Sequence, residues 1–384
     1  MEEEVLFTIT KEHLDTGLRG FPVGYCTTSH VDPQKGLFYR GTSILKLSTW
    51  EPVKVIYLLY YGKEGTHSEI TAFEKELIKR AHLEEKVIRY ILALPKEGHP
   101  MDLFASAIQI VGMFEKNLDY RENSLTLIAT LPHIAALVIN HHGGFGKTPP
   151  SQPELGYMEN FVRLLTIPSS DKLIQVMRLF NILHYDHGGG NLSTFVGKAV
   201  GSGLQHMYGA ISAAMNALAG PKHGRANQDC LEFVEMALSD LGEKATIVEV
   251  EKYIRKRLND NKLIFGFGHA VLRVEDPRAT IFYDYAKKYF PTHPLVSIAL
   301  HLRTAGEKVL AENPKVSDPH ANIDAISGTV LAAAGFHYPE YFTLLFGLAR
   351  AVGIAIQIVY DRLEAREGKG TPIVRPKYLY KAAK

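Results

Sequence analysis

From Tyr341 to Tyr360 the chain runs for 20 residues almost without polarity, broken by one charge, Arg350, in its middle. A run of that length and composition has two physical outcomes, a membrane span or a helix at the centre of a large core. A lone Arg at the bilayer centre costs at least about 3 kcal/mol on insertion scales, and such a residue is tolerated only with a partner. No second span supports it here, so the run is expected to be a buried helix. A buried Arg then needs an anion, and no acidic residue flanks Arg350. A core able to hold such a helix needs a long chain, and 384 residues suffice for two or three domains.

The rest of the pattern is helical. Regular strand signal is confined to the start, at Val5 to Thr10 and at Leu37-Phe38-Tyr39 after the turn Asp32-Pro33-Gln34-Lys35-Gly36. Thr66-x-x-Glu69 reads as a capping box opening a helix with Ile70, Phe73, Leu77, Ala81 and Ile88 on its apolar face. Helical periodicity follows near 101–118, 124–140, 171–184, 192–219, 224–240, 246–259, 277–289, 294–312 and 339–361. These stretches predict an all-α protein with minor β at its N-terminus. Val196 to Gly220 is dense in Gly, Ala and Ser, as at a tight interior or a subunit interface, and Gly220-Pro221 stops the helix. That stop is the expected hinge into a second domain. The Gly- and Pro-rich stretch from Gly143 to Pro153 reads as an exposed connection.

Composition excludes several partners. Lys and Arg exceed Asp and Glu by 43 − 41 = +2, which gives no field for nucleic acid or an anionic membrane. Cys26 and Cys230 are the only cysteines, too few for a disulfide framework or a thiolate metal site, and they point to a reducing compartment. The start Met1-Glu2-Glu3-Glu4 has neither the basic segment of a signal peptide nor the Arg-rich character of a transit peptide. The expected location is therefore cytoplasmic, a bacterial-type cytosol. Gly143-Gly144-Phe145-Gly146-Lys147-Thr148 fails as a P-loop because position 141 is His, and Gly266-x-Gly268 lacks the third glycine of a dinucleotide fingerprint.

Histidine is the informative residue. Of 17, several sit in glycine-flanked helix breaks: His184-Tyr185-Asp186-His187-Gly188-Gly189-Gly190-Asn191, Gly220-Pro221-Lys222-His223-Gly224, and Gly266-Phe267-Gly268-His269. Any one of them alone can be a polar turn residue, and His184, Asp186 and His187 could be read as metal ligands, although divalent sites usually need a further ligand at defined spacing. Taken together they suggest acid–base chemistry. His223 precedes an amphipathic helix whose dipole keeps the ring neutral, fit to donate an N–H to a developing oxyanion. Asp324, in Asn322-Ile323-Asp324-Ala325-Ile326, is a carboxylate among apolar neighbours, where desolvation raises its pKa toward a general base's range. Arg278, Arg350 and Arg375 are guanidinium forks suited to a di- or tricarboxylate.

The segments DHGGGN (186–191), LAGPKHGRANQ (218–228), FGFGHAVLRVEDPR (265–278), NIDAISG (322–328), LFGLARAVG (345–353) and VRPK (374–377) together resemble citrate synthase. More weakly, Gly17-Leu18-Arg19-Gly20 and Gly36 to Gly41 join them, and the likeness is closest to the mitochondrial type. The resemblance implies a large helical domain (1–222 and 330–384) with a small inserted helical domain (223–329), paired as a homodimer. It implies that His187, Arg278, Arg350 and a second-subunit Arg375 hold oxaloacetate, that His223, His269 and Asp324 carry the chemistry, and that Leu263, Ile264, Phe265, Gly266, Phe267 and Gly268 contact coenzyme A. The implied reaction condenses acetyl-CoA with oxaloacetate and hydrolyses citryl-CoA, with no metal and no permanently bound cofactor. Two positions depart from the family pattern: Gly188 stands where an acidic residue is usual, and Phe195 where a polar one is. The N-terminal domain of NADH-regulated bacterial forms is not expected. The rivals are 2-methylcitrate synthase, taking propionyl-CoA, and a non-catalytic carboxylate-binding paralogue.

Overall fold

The computed structural model describes residues 5–382; the acidic start Met1–Glu4 lies outside them. After a 3-10 turn, Lys11–Asp15, a small antiparallel sheet forms from β1 (Ser29–Asp32), β2 (Gly36–Tyr39) and β3 (Thr42–Ser43) in the order β1-β2-β3. Helices follow: α1 (Ile44–Leu47), α2 (Pro52–Tyr61), α3 (His67–Arg80), α4 (Glu85–Leu92), α5 (Pro100–Phe114), α6 (Tyr120–Gly143), α7 (Tyr157–Leu164) and α8 (Asp171–His184). Then come α9 (Leu192–Ser202), α10 (Met207–Leu218), α11 (Ala226–Leu241), α12 (Ile247–Asn259), α13 (Pro277–Tyr289), α14 (Pro294–Ala311), α15 (Asp324–Ala333) and α16 (Phe342–Leu363).

The apolar run is α16, and α5, α6, α8, α9 and α10 surround it. Both helices long and apolar enough to span a bilayer, those covering Tyr120–Gly143 and Pro339–Leu363, are mostly buried inside the protein. Small residues make this possible. A Cβ on Gly197 of α9 would stand 2.9 Å from Ile354 and 3.1 Å from Ala214, so three helix backbones converge where a side chain would hold them apart. Of the two readings of the Val196–Gly220 stretch, this contact is the tight interior.

Helices α11, α12, α14 and α15 pack on one another, with α13 against α15. They meet the first group through α15 on α8 and α11 on α16. The functional loops lie along that seam.

Several local expectations change. Val5 to Thr10 forms no strand, because no segment among the described residues pairs with its backbone; Ser29–Asp32 pairs with β2 instead, across a turn in which Asp32 Oδ1 accepts the N–H groups of Gln34 and Lys35. The Thr66–Glu69 capping box is present, but its helix stops at Arg80. A continuous helix would set Leu83 about 120° around the axis from Leu77; the break buries both. The stretch 192–219 is two helices, parted where Leu204 takes a left-handed backbone (φ +64°). The periodicity also missed α1, α2, α7 and α15.

Candidate active site

The turn between α10 and α11 carries His223. It must double back tightly, since a Cβ on Gly224 would lie 2.3 Å from the Leu218 carbonyl. His223 Nε2 accepts the backbone N–H of Ser193 at 3.2 Å, which leaves the proton on Nδ1. Burial, aided by the Arg350 charge, pushes His223 down to about 4. The ring is neutral as expected from the sequence, but the cause is desolvation.

His269 has the opposite tautomer. Its Nδ1 accepts from the N–H groups of Val271 (3.0 Å) and Leu272 (2.9 Å), so Nε2 keeps the hydrogen. Burial and the nearby Arg278 lower its pKa. The His187 ring lies 5.4 Å from that of His269, and its buried Nε2 has no partner among the described residues. Burial, with Arg278 and Arg350, holds His187 well below the usual imidazole range. Three imidazoles are thus fixed in the uncharged form.

Asp324 is the first residue of α15, not part of a turn, and its N–H donates to Asn322 Oδ1 at 3.0 Å. Burial pushes its carboxyl up to about 6, against the pull of Arg278. The loop 263–268 is stitched to the start of this helix. Asn322 N–H donates to the Gly266 carbonyl (2.9 Å), Asn322 Nδ2 to the Gly268 carbonyl (3.0 Å), and Gly268 N–H to the His320 carbonyl (2.9 Å). Gly266 has φ +84°, and a Cβ there would stand 2.7 Å from Ala325 Cα. Only glycine therefore brings the His269 loop against the Asp324 helix. Phe267 packs on Gly306 of α14 and Phe265 near Phe233, so within the loop it is Leu263, 71% exposed, that reaches out.

The arginines divide. Arg278 is buried, and its Nε and Nη2 engage Asp276 at 3.0 and 2.6 Å; the sequence reading, which had it waiting for an external anion, missed this counter-ion. Arg350 meets the expectation. It is buried, donates from Nε to the His184 carbonyl (3.0 Å), lies over Phe346, and has no ion pair among the described residues. Burial lowers it to about 10. A buried guanidinium with no carboxylate is an anion site. Arg375 is not brought together with these residues. It lies exposed in the extended tail, where its neighbour Val374 donates its N–H to Ser202 Oγ. Ser202 is nine residues along α9 from Ser193, or ~14 Å at the helical rise.

Two residues built into the candidate site escaped the sequence reading. Asp186, weighed there only as a metal ligand, is fully buried and accepts from Thr28 Oγ1, from Gln357 Nε2 (2.8 Å) and from the His187 N–H (2.9 Å). Gln357 also donates to the Gly188 carbonyl at 3.2 Å. A signal for Gln357 existed: it is the one amide in the apolar run, seven residues, or two turns, beyond Arg350 on the same face. Gly188 has φ +73°, which favours glycine over the usual acidic residue, and its N–H donates to Ser29 Oγ at 2.7 Å. His184 has no role as a ligand here; its Nδ1 bonds the Phe180 carbonyl.

Neutral imidazole donors of both tautomers, a carboxyl poised near 6 and an unpaired buried guanidinium can deprotonate a carbon acid and stabilise the resulting enolate beside an anion. The fold that carries them defines a class, the helical acyltransferases that convert an acyl group to alkyl on transfer. Residues 17–377 match the citrate synthase C-terminal domain family, and the chain belongs to the citrate synthase family. It is 36% identical to the mitochondrial citrate synthase of Daucus carota over 97% of this chain and 83% of that protein. It is 33% identical to a mitochondrial 2-methylcitrate synthase of Yarrowia lipolytica over 94% of this chain and 82% of that one. Among solved structures, a ternary complex of Thermoplasma acidophilum citrate synthase with carboxymethyl coenzyme A and oxaloacetate superposes with a TM-score of 0.83 at 26% identity, covering 96% of each chain.

The relatives correct the expected location. Those from carrot and Arabidopsis thaliana and one from Saccharomyces cerevisiae are mitochondrial enzymes and another from Saccharomyces cerevisiae is peroxisomal, so a cytosolic setting does not follow from this sequence. Two unpaired cysteines report a redox state, not which compartment supplies it.

Proposed function

We propose that this family member is a citrate synthase proper, condensing acetyl-CoA with oxaloacetate and releasing citrate and CoA, the first step of the tricarboxylic acid cycle. The observation that carries the reading is Asp324, its carboxyl pushed up to about 6 by burial at the start of the helix to which the His269 loop is stitched, with His223 and His269 both held neutral. Asp324 takes a methyl proton from acetyl-CoA while His223 Nδ1–H stabilises the thioester oxygen as the enolate forms. The enolate carbon bonds to the keto carbon of oxaloacetate, and His269 Nε2–H supplies the proton to its oxygen. Water then adds to the citryl thioester and the C–S bond breaks. One general base contributes about 10²–10⁴ in rate, and each preorganised oxyanion donor about 3–4 kcal/mol. Side chains carry every step, so no resident metal or cofactor is required.

Oxaloacetate would lie against Arg350, Arg278 and His187, with Arg375 arriving from a second subunit. The loop from Leu263 to Gly268 would meet coenzyme A as the segment 223–329 closes on the rest. The ligands of the Thermoplasma complex support this pair of substrates. The Yarrowia relative favours a second reading, with propionyl-CoA as donor. One methylene discriminates by only about 1–3 kcal/mol, so the test is kinetic: thiol release with each thioester, with and without oxaloacetate. A kcat/KM for acetyl-CoA at least tenfold above that for propionyl-CoA is expected. The reverse ratio makes the protein a 2-methylcitrate synthase, and no release with either makes it a silent paralogue.

A further inference from the structure

A cavity of about 950 Å³ opens between α3, α4, α6 and the loop after α6, lined by none of the residues of the site above. Its volume is that of a small-molecule site. The walls are largely aliphatic, with Leu77, Ile78, Leu83, Ile88, Leu137 and Leu164 among them; among the described residues no Phe or Trp lines the cavity, and Tyr157 spends its hydroxyl on the Ile128 carbonyl. Such walls suit an alkyl chain better than a stacked base. In mid-groove His133 has a buried Nδ1 with no partner among the described residues, and burial keeps it neutral by pushing it down to about 4.

The charges are sorted along the groove. His141 bonds the Leu94 carbonyl (2.8 Å) and Asn140 bonds Thr148 (2.9 Å), which brings the segments bearing Lys96 and Lys147 to the α6 C-terminal end, and both lysines line the cavity. Neither lysine forms an ion pair among the described residues. Arg89 lies on the α4 wall leading toward them. The acids are elsewhere: Glu85 follows His82 at the other end, where Arg80 bonds Thr126, and Glu74 lines the α3 wall. From Ala129 to Asn140 the groove follows α6 for ~16 Å.

We propose that this groove binds an amphipathic carboxylate, its unbranched alkyl chain along α6 and its carboxylate between Lys96 and Lys147. Charge complementarity at one end and aliphatic walls along the rest select that chemistry over a nucleotide or a polar metabolite.

Dodecanoate below its micelle concentration is the probe, titrated calorimetrically into the full chain with citrate and CoA saturating the reaction site. One molecule should bind per chain. Lys96→Glu with Lys147→Glu should weaken dodecanoate at least tenfold while leaving dodecanol within twofold, and both substitutions are on exposed side chains that leave turnover and melting temperature unchanged. Ala81→Trp, at a half-buried position in the wall, should remove both ligands. Absence of binding overturns the proposal, and so does affinity indifferent to the charge reversal. Dodecanoate binding that survives Ala81→Trp in a folded protein places it elsewhere and also overturns it. If wild type binds nothing and Ala81→Trp splits the dimer, a protein surface covers the groove and the carboxylate does not.

Discussion

In Asp324, the proposed base, one residue would couple function to stability. Its carboxyl titrates near 6 in the folded chain against an ordinary value of 3.8, because burial disfavours the charged form. The folded state therefore holds its proton more tightly than the unfolded one. The ionised carboxylate costs the native state its full penalty above about pH 6, and the penalty vanishes below about pH 4. A shift of this size corresponds to about 3 kcal/mol. Asp324→Asn should accordingly raise the melting temperature at pH 8, with the gain fading as pH falls through 6, while kcat drops by about two orders of magnitude or more. In wild type the acid limb of kcat/KM should centre near 6 and belong to Asp324, since His223 stays neutral down to about 4. A loss in kcat of less than tenfold would show that Asp324 is not the base, and a gain over wild type no larger at pH 8 than at pH 5 would show that its ionised form is not strained.

At the scale of elements, the active site depends on close approach between a loop and a helix. Gly266 sits at φ +84° with the Ala325 backbone where its Cβ would be. Gly266→Ala thus meets two obstacles, a left-handed backbone and a clash with main chain that cannot rotate away. Moving the loop shifts His269 relative to Asp324, and a misplacement of about 1 Å costs on the order of 10² in rate. The variant should fold with a lowered melting temperature and lose about a hundredfold in kcat, whereas Gly242→Ala, whose Cβ would meet open space at φ +81°, should lose stability only. Equal activities for the two variants would mean that the contact at Ala325 does not position His269. Gly353 plays the same part for α16, because a Cβ there would lie 2.2 Å from the Tyr185 carbonyl, just before Asp186 and His187.

At the scale of the whole molecule, the question is which chain Arg375 serves. Its neighbour is anchored on Ser202, at the far end of α9 from Ser193, which bonds His223, so Arg375 is not assembled with its own site. The proposed shared site in an isologous dimer would account for this placement. Arg375→Ala and Asp324→Asn homodimers should each be nearly inactive. Refolded together in equal amounts, about half the dimers are mixed, each with one intact and one doubly damaged site, so activity should return to roughly a quarter of wild type. If Arg375 served its own chain, every site would carry a lesion. No recovery, with subunit exchange verified by native mass spectrometry, would reject the shared site.

Much of this protein could be read in one dimension. Periodicity located most of the long helices, and the Tyr341–Tyr360 run with its single charge named both the core helix and the need of Arg350 for an anion, because burial follows from composition at that length. The ordered Gly-His motifs named the candidate reactive residues, since a helix-breaking turn that exposes an imidazole is written locally. Pairings between distant segments were not legible. Asp276 captures Arg278 from two positions away only because both are buried together, and Gln357 reaches Asp186 across 171 residues of sequence. Which nitrogen of His223 or His269 carries the proton depends on the backbone N–H groups that folding brings to the other. Sequence thus determined which groups would be present and which would be buried; tertiary structure decided their partners, because hydrogen bonds and desolvation are set by neighbours in space.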